Sequence, residues 1–176
     1  MDDLVEHVLA VLSTTPERWH ALAGTVQDDL LARAPAPGEW SAVDCLRHLV
    51  ATEREVFPVR VRAFLGGNDF APYDPDAAEA TSGPADPGEL VAQFEELRAQ
   101  SLQLLTGLET ADLRRTAHHA ELGPVTLEQV LNEWAGHDLM HTVQAERAML
   151  QPFIAGSGPW RSYFADHDAT PPGAKA

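Results

Sequence analysis

Apolar residues recur along this chain at three- and four-residue intervals, and no segment alternates convincingly with a period of two, so helices are the expected elements. The first runs from about Asp3 to Ala23, with Leu4, Val8, Val11, Leu12, Trp19 and Leu22 at helical spacings. Pro16 lies inside it, and Thr15-Pro16-Glu17 suits a fresh helix start, so a kink or break is expected there. A short turn near Asp28–Ala32 and the Pro-rich Ala34-Pro35-Ala36-Pro37-Gly38 follow. The second helix is expected to begin at Ser41, with Asp44 three residues on as its capping partner. It continues through Leu46, Leu49, Val50, Val56 and Phe57 towards Leu65, with a bend at Pro58 and an end at Gly66-Gly67.

Residues 68 to 87 are rich in Pro, Gly, Asp and Ala and carry no period; a connection this long crosses a bundle or shapes a site. Asp86-Pro87-Gly88-Glu89 reads as the start of the third helix, which carries Leu90, Phe94, Leu97, Leu104 and Leu105 to Gly107. The fourth begins at Thr126, with Gln129 completing a capping box, and runs to about Leu150. There is a faint internal echo: Asp28-Asp29-Leu30-Leu31 and Thr110-Ala111-Asp112-Leu113 each precede a loop and a capped, histidine-bearing helix. The pattern describes an all-α four-helix bundle over residues 1–155. Residues 156–176 form a tail whose aromatics Trp160, Tyr163 and Phe164 are expected to pack on the bundle, and Thr170-Pro171-Pro172-Gly173 is expected to fray.

The fourth helix places chemistry where apolar residues belong. His137 and His141 project about 40° apart, and Val130, Trp134 and Ala148 fall within about 60° of His137 on the same stripe. Two buried imidazoles are costly as plain core and make sense around a cation or a hydrogen-bond network. His48 sits at the edge of the buried stripe of the second helix. Facing helices lie about 8–10 Å apart, so His48 can close a tripod with His137 and His141 around one ion. Three neutral imidazoles with an open fourth position suit Zn²⁺, Ni²⁺ or a similar divalent ion. Asp44, one turn before His48, and Glu133, one turn before His137, are the candidates to orient the rings through their free N–H groups. His7, His20, His118, His119 and His167 lie on a helix surface, in a polar loop or in the tail, away from the tripod. His137-Asp138-Leu139-Met140-His141 differs from a zincin His-Glu-x-x-His in its shorter acid and lacks the downstream ligand pattern, so the zincin reading fails. Cys45, beside His48, reads as a packed small residue rather than a redox partner.

Charge narrows the function classes. Twelve Lys plus Arg against 27 Asp plus Glu give a formal net charge of −15, with no basic cluster, which disfavours nucleic acid. Charged residues interrupt every apolar run short of a membrane span. The acidic Met1-Asp2-Asp3 is unlike a secretory signal, and one cysteine forms no internal disulfide, so a soluble cytoplasmic protein is expected.

Pro35-Ala36-Pro37-Gly38-Glu39-Trp40-Ser41, the helix Cys45-Leu46-Arg47-His48-Leu49 and the late His137-x-x-x-His141 resemble the DinB-like superfamily, including its YfiT-type metal-dependent members, over about residues 3 to 150. The resemblance implies a divalent metal on His48, His137 and His141, up-down-down-up topology, and a homodimer. Relatives include S-transferases that use the low-molecular-weight thiols bacillithiol or mycothiol, and a mycothiol-dependent isomerase. The leading expectation is therefore a metal-dependent enzyme acting on a small molecule, by thiol transfer or hydrolysis. The alternatives are a stress-related binding protein whose metal only joins two helices, and a metal-free core of hydrogen-bonded histidines.

Overall fold

Capping chemistry sets where the long helices begin. The Ser41 hydroxyl accepts the backbone N–H of Asp44 at 3.2 Å while the Asp44 carboxylate accepts the backbone N–H of Ser41 at 3.0 Å, opening α3 (Ala42–Glu55). Thr126 and Gln129 make the same reciprocal pair, at 3.2 and 2.9 Å, at the start of α6 (Leu127–Gly156). Asp86 accepts the N–H of Glu89 at 3.0 Å ahead of α5 (Pro87–Thr106). These helices, with α1 (Asp3–Thr25), α2 (Asp28–Leu31) and α4 (Phe57–Gly66), belong to a computed structural model that describes residues 3–70 and 86–170.

Two clusters of buried residues fix the direction of each helix. One gathers Val5, Val8 and Leu12 of α1, Val56, Phe57, Val61 and Phe64 around α4, Leu105 of α5, and Leu127 to Trp134 of α6. The other gathers Trp19 of α1, Ala42 to Val50 of α3, Leu90, Val91 and Phe94 of α5, and Ala145 and Met149 of α6. So α1 and α6 run from the first cluster to the second, and α3 with α4, and α5, run back. The bundle is up-down-down-up, with α1 and α3 each packed between α5 and α6. Between the clusters lies a waist, and the chemistry of the chain is concentrated there.

Pro58 breaks the second bundle helix as its missing N–H requires: Val56, at φ −114° and ψ −78°, separates α3 from α4. Pro16 does not break the first, because the carbonyl it frees, that of Leu12, takes its hydrogen bond from Arg98 of α5 at 2.8 Å. α6 passes through Pro152 and ends at Gly156, six residues beyond the expected Leu150. The absence of strands is corrected: β1 (Thr116–His119) and β2 (Gly123–Thr126) form an antiparallel hairpin, pairing Ala117 with Val125. Four-residue strands are too short to declare a period, and His118 and His119 lie in β1 rather than in a loop. The short elements Asp28–Leu31 and Asp112–Arg114 take matching places before α3 and α6, as the sequence echo suggests.

The aromatic tail departs from expectation at two of its three residues, Phe164 alone being half-buried. Trp160 and Tyr163, in the 3₁₀ turn Gly158–Phe164, are 63% and 81% exposed, so they are not packed into the bundle. That segment is held instead by Arg161 on Asp168 at 2.7 Å and by Gln151, which accepts the N–H of Ala169 at 2.8 Å. Pro171-Pro172-Gly173 and most of the long connection after α4 lie outside the described residues. Among the described residues no helix is long and apolar enough to cross a membrane.

Candidate metal centre

At the waist, α3 supplies His48 and α6 supplies His137 and His141, and one ring nitrogen from each lies within 4.8 Å of the others. His48 Nε2 is 3.0 Å from His137 Nε2. Nitrogens bound about 2.0–2.1 Å from a tetrahedral ion lie roughly 3.3 Å apart, a spacing the cluster brackets. The donor set therefore fits a divalent ion with small ring movements.

The surroundings fix the rings. His141 Nδ1 bonds the Gln144 side-chain oxygen at 2.9 Å, which makes Nδ1 the protonated nitrogen and leaves the Nε2 lone pair for the cluster. Trp40, the residue before the α3 cap, stacks on His141 at 5.6 Å between centroids and lies 4.9 Å from His48. Phe57 meets His137 edge-on at 5.1 Å and is itself stacked on Trp134 at 5.1 Å. His137 Nδ1 is buried and has no hydrogen-bond partner among the described residues. Burial first, and then the neighbouring His141, push His48 down to about 4. Burial likewise takes His137 down to about 3, aided by His141, His48, Arg98 and Arg60. Burial also lowers His141, against the opposing pull of Gln144 and Asp138. At neutral pH all three imidazoles keep the lone pairs that ligation needs.

Neither carboxylate nominated to orient the rings does so by a hydrogen bond. Asp44 is occupied by Ser41 and by Arg47, at 2.8 Å, and serves the helix start. Glu133, half exposed, faces Arg60 at 3.3 Å. The orienting partner is the amide of Gln144, three residues after His141 and so on the same helix face. Cys45 is fully buried, with its thiol pushed up to about 12 by burial and by Asp44, so it is packing, not redox chemistry. Of the other histidines, His20 pairs with Glu95 at 2.9 Å, His119 accepts two backbone N–H groups of its own turn, and His7, His118 and His167 are exposed.

Behind the histidines lies a group that the sequence reading missed. Arg98 of α5 donates to Glu53 of α3 at 2.8 and 3.0 Å and to Asp138 of α6 at 2.7 and 3.1 Å, all three side chains being 1% exposed. Burial alone would lower the Arg98 pKa, but Asp138 and Glu53 outweigh it and raise it. Asp138, the zincin-like acid, thus points into the waist and holds an arginine. The signal was present: Leu90, Phe94, Arg98, Ser101 and Leu105 form one stripe, so an arginine stands at a core position.

YfiT from Bacillus subtilis, described as a probable metal-dependent hydrolase with an unusual four-helix bundle topology, superposes with a TM-score of 0.75 at 21% identity, over 84% of this chain and 87% of that one. A DinB-like protein from the same organism, YjoA, superposes with a TM-score of 0.56 at 20% identity, over 84% and 90% of the two chains. These likenesses are of fold. A sequence comparison with curated proteins gives no match. The family model of the DinB superfamily matches residues 11–145, spanning α1 to the middle of α6 with all three clustered histidines. The chain belongs to the DinB superfamily.

Proposed function

We propose that His48, His137 and His141 hold one divalent cation, zinc, nickel or similar, and that the site is catalytic and acts on a small molecule. The observation that carries this reading is the convergence of three neutral imidazoles from two helices, with no fourth His, Cys, Asp or Glu joining the group among the described residues. Closed structural sites use four protein ligands, whereas an open position is the mark of a catalytic one, so a purely structural ion is disfavoured. When bound, such an ion supplies Lewis acidity that makes a water or thiol nucleophile available near neutral pH.

The chain's own residues prepare the site. Gln144 sets the tautomer of His141, and burial keeps the imidazoles unprotonated. Trp40 and Phe57 cover two sides of the cluster and restrict water. Hydrolysis is supported by the description of YfiT, and transfer of a low-molecular-weight thiol such as bacillithiol or mycothiol by the sequence resemblance. A turnover screen of the zinc- and nickel-loaded protein on activated esters, amides and alkylating electrophiles, with and without thiol, decides between them. Thiol-independent turnover supports hydrolysis, and strict thiol dependence supports transfer. Turnover unaffected by removing the metal defeats both. A homodimer is the proposed assembly, supported by exposed Leu139, Met140 and Val143 on the outer face of α6.

A further inference from the structure

A groove of about 440 Å³ lies between α4, α6 and the hairpin, lined among others by Arg60, Gln129, Val130, Glu133, Leu122 and Val125, and none of the three clustered histidines lines it. That volume suits a small molecule rather than a peptide. Gln129, Glu133 and His137 are successive turns on one face of α6, and Phe57 and Arg60 are one turn apart on α4. The two helices that form the groove therefore meet the cluster at its end, with Glu133 about 6 Å along the axis from His137.

The charges in this groove are unequal. The Arg60 side chain is only 10% exposed and its guanidinium stands 5.2 Å over the Phe70 ring, so the cation is fixed and largely desolvated. Its partner Glu133 is 53% exposed, and the contacts between them, 3.3 and 3.4 Å, are long for a charge-assisted bond. An exposed acid at that distance binds weakly and is easily displaced. Around them, Leu122, 73% exposed, and the open side of Val125, whose other side packs on the core, offer apolar surface.

We infer that the groove is the substrate subsite and that Arg60 receives a carboxylate there, taking the place of Glu133, while the apolar body of the ligand lies on Leu122 and Val125. This rests on the metal-site reading for its catalytic meaning and names the substrate class: small amphipathic carboxylates whose reactive centre lies a few bonds from the acid, within reach of the cluster. A guanidinium accepts such a group through two parallel hydrogen bonds, which orients it as well as holding it. An amine ligand paired with Glu133 is the opposite arrangement, and it is less favourable because Glu133 is the solvated, movable partner.

The test is an NMR titration of the EDTA-treated protein with hexanoate, hexanol and hexylamine, which share one chain and differ in head group. The expected result is saturable binding of hexanoate at least about tenfold tighter than of the other two, with shifts around Arg60 and Val125. Arg60→Gln weakens hexanoate by about tenfold or more, and Glu133→Gln tightens it by about threefold by removing the competitor. A pair that merely ties α4 to α6 gives no tightening in Glu133→Gln. Absence of saturable hexanoate binding, equal binding of hexanol, preference for hexylamine, or hexanoate binding in Glu133→Gln no tighter than in the parent overturns the assignment. Should Arg60→Gln unfold, the head-group series and Glu133→Gln still decide. The protein is metal-free throughout, so failure of zinc to bind and failure of hexanoate to bind are separate results.

Discussion

Arg98 donates a 2.8 Å hydrogen bond to the carbonyl oxygen of Leu12, the one carbonyl of α1 that Pro16 leaves without its helical donor. A proline inside a helix costs about 3 kcal/mol, partly through that lost bond. Here an arginine from another helix supplies it, and the same guanidinium grips Glu53 of α3 and Asp138 of α6. Asp138 directly follows His137, and Glu53 lies five residues after His48, so this clamp sets the relation between the two helices that carry the histidines.

Removing Arg98 leaves two carboxylates buried without a counter-charge. Breaking a buried pair from one side costs about 3–5 kcal/mol, and Arg98→Met should lose about that much in urea denaturation. A loss under about 1 kcal/mol would show that the clamp is incidental.

The histidines predict a direction for stability against pH. Burial holds His48 at about 4 and His137 at about 3, against the ordinary 6.5. As pH falls through 6.5 the unfolded chain takes up protons while the folded rings stay neutral down to those lower values. Their contribution to stability is therefore complete above pH 6.5 and is lost progressively between there and about pH 3. The Tm of the metal-free protein should fall through that window, and a His48→Ala, His137→Ala variant should fall less steeply. Equal slopes would refute the assignment.

Gln144, half-buried beside His141, should matter to the metal without touching it. Replacing it with Ala frees the His141 ring, and partners of this kind usually contribute tenfold to a hundredfold in affinity. Competition of Gln144→Ala with a chromogenic zinc chelator measures this; unchanged affinity removes Gln144 from the site.

Asp44 and Ser41 should behave in the opposite way. Ser41→Ala costs about 1 kcal/mol as a lost cap while zinc affinity stays within about threefold of the parent. Chemical denaturation and the same chelator assay read both quantities.

These contrasts show where the sequence was legible. Caps at Ser41, Asp86 and Thr126 are local chemistry over three residues, and they appear where the residues place them. The inward phase of His137 and His141 is likewise a property of one helix, and the cluster with His48 follows from packing α3 on α6. The waist clamp was less legible because each member is an ordinary charged residue on its own helix. Only the meeting of Glu53, Arg98 and Asp138 across α3, α5 and α6 makes the burial affordable. The persistence of α1 through Pro16 is non-local too, since its compensating donor lies 86 residues away from Leu12. The hairpin was hidden by brevity, and its role in shaping the groove beside Arg60 is visible only in three dimensions.

The central claim is the metal on the three histidines. The most direct measurement is the metal content, by inductively coupled plasma mass spectrometry, of protein purified without a polyhistidine tag. The account predicts about one divalent ion per chain, lost in a His137→Ala, His141→Ala double variant that remains folded. Sub-stoichiometric metal that is unchanged in the double variant would contradict it.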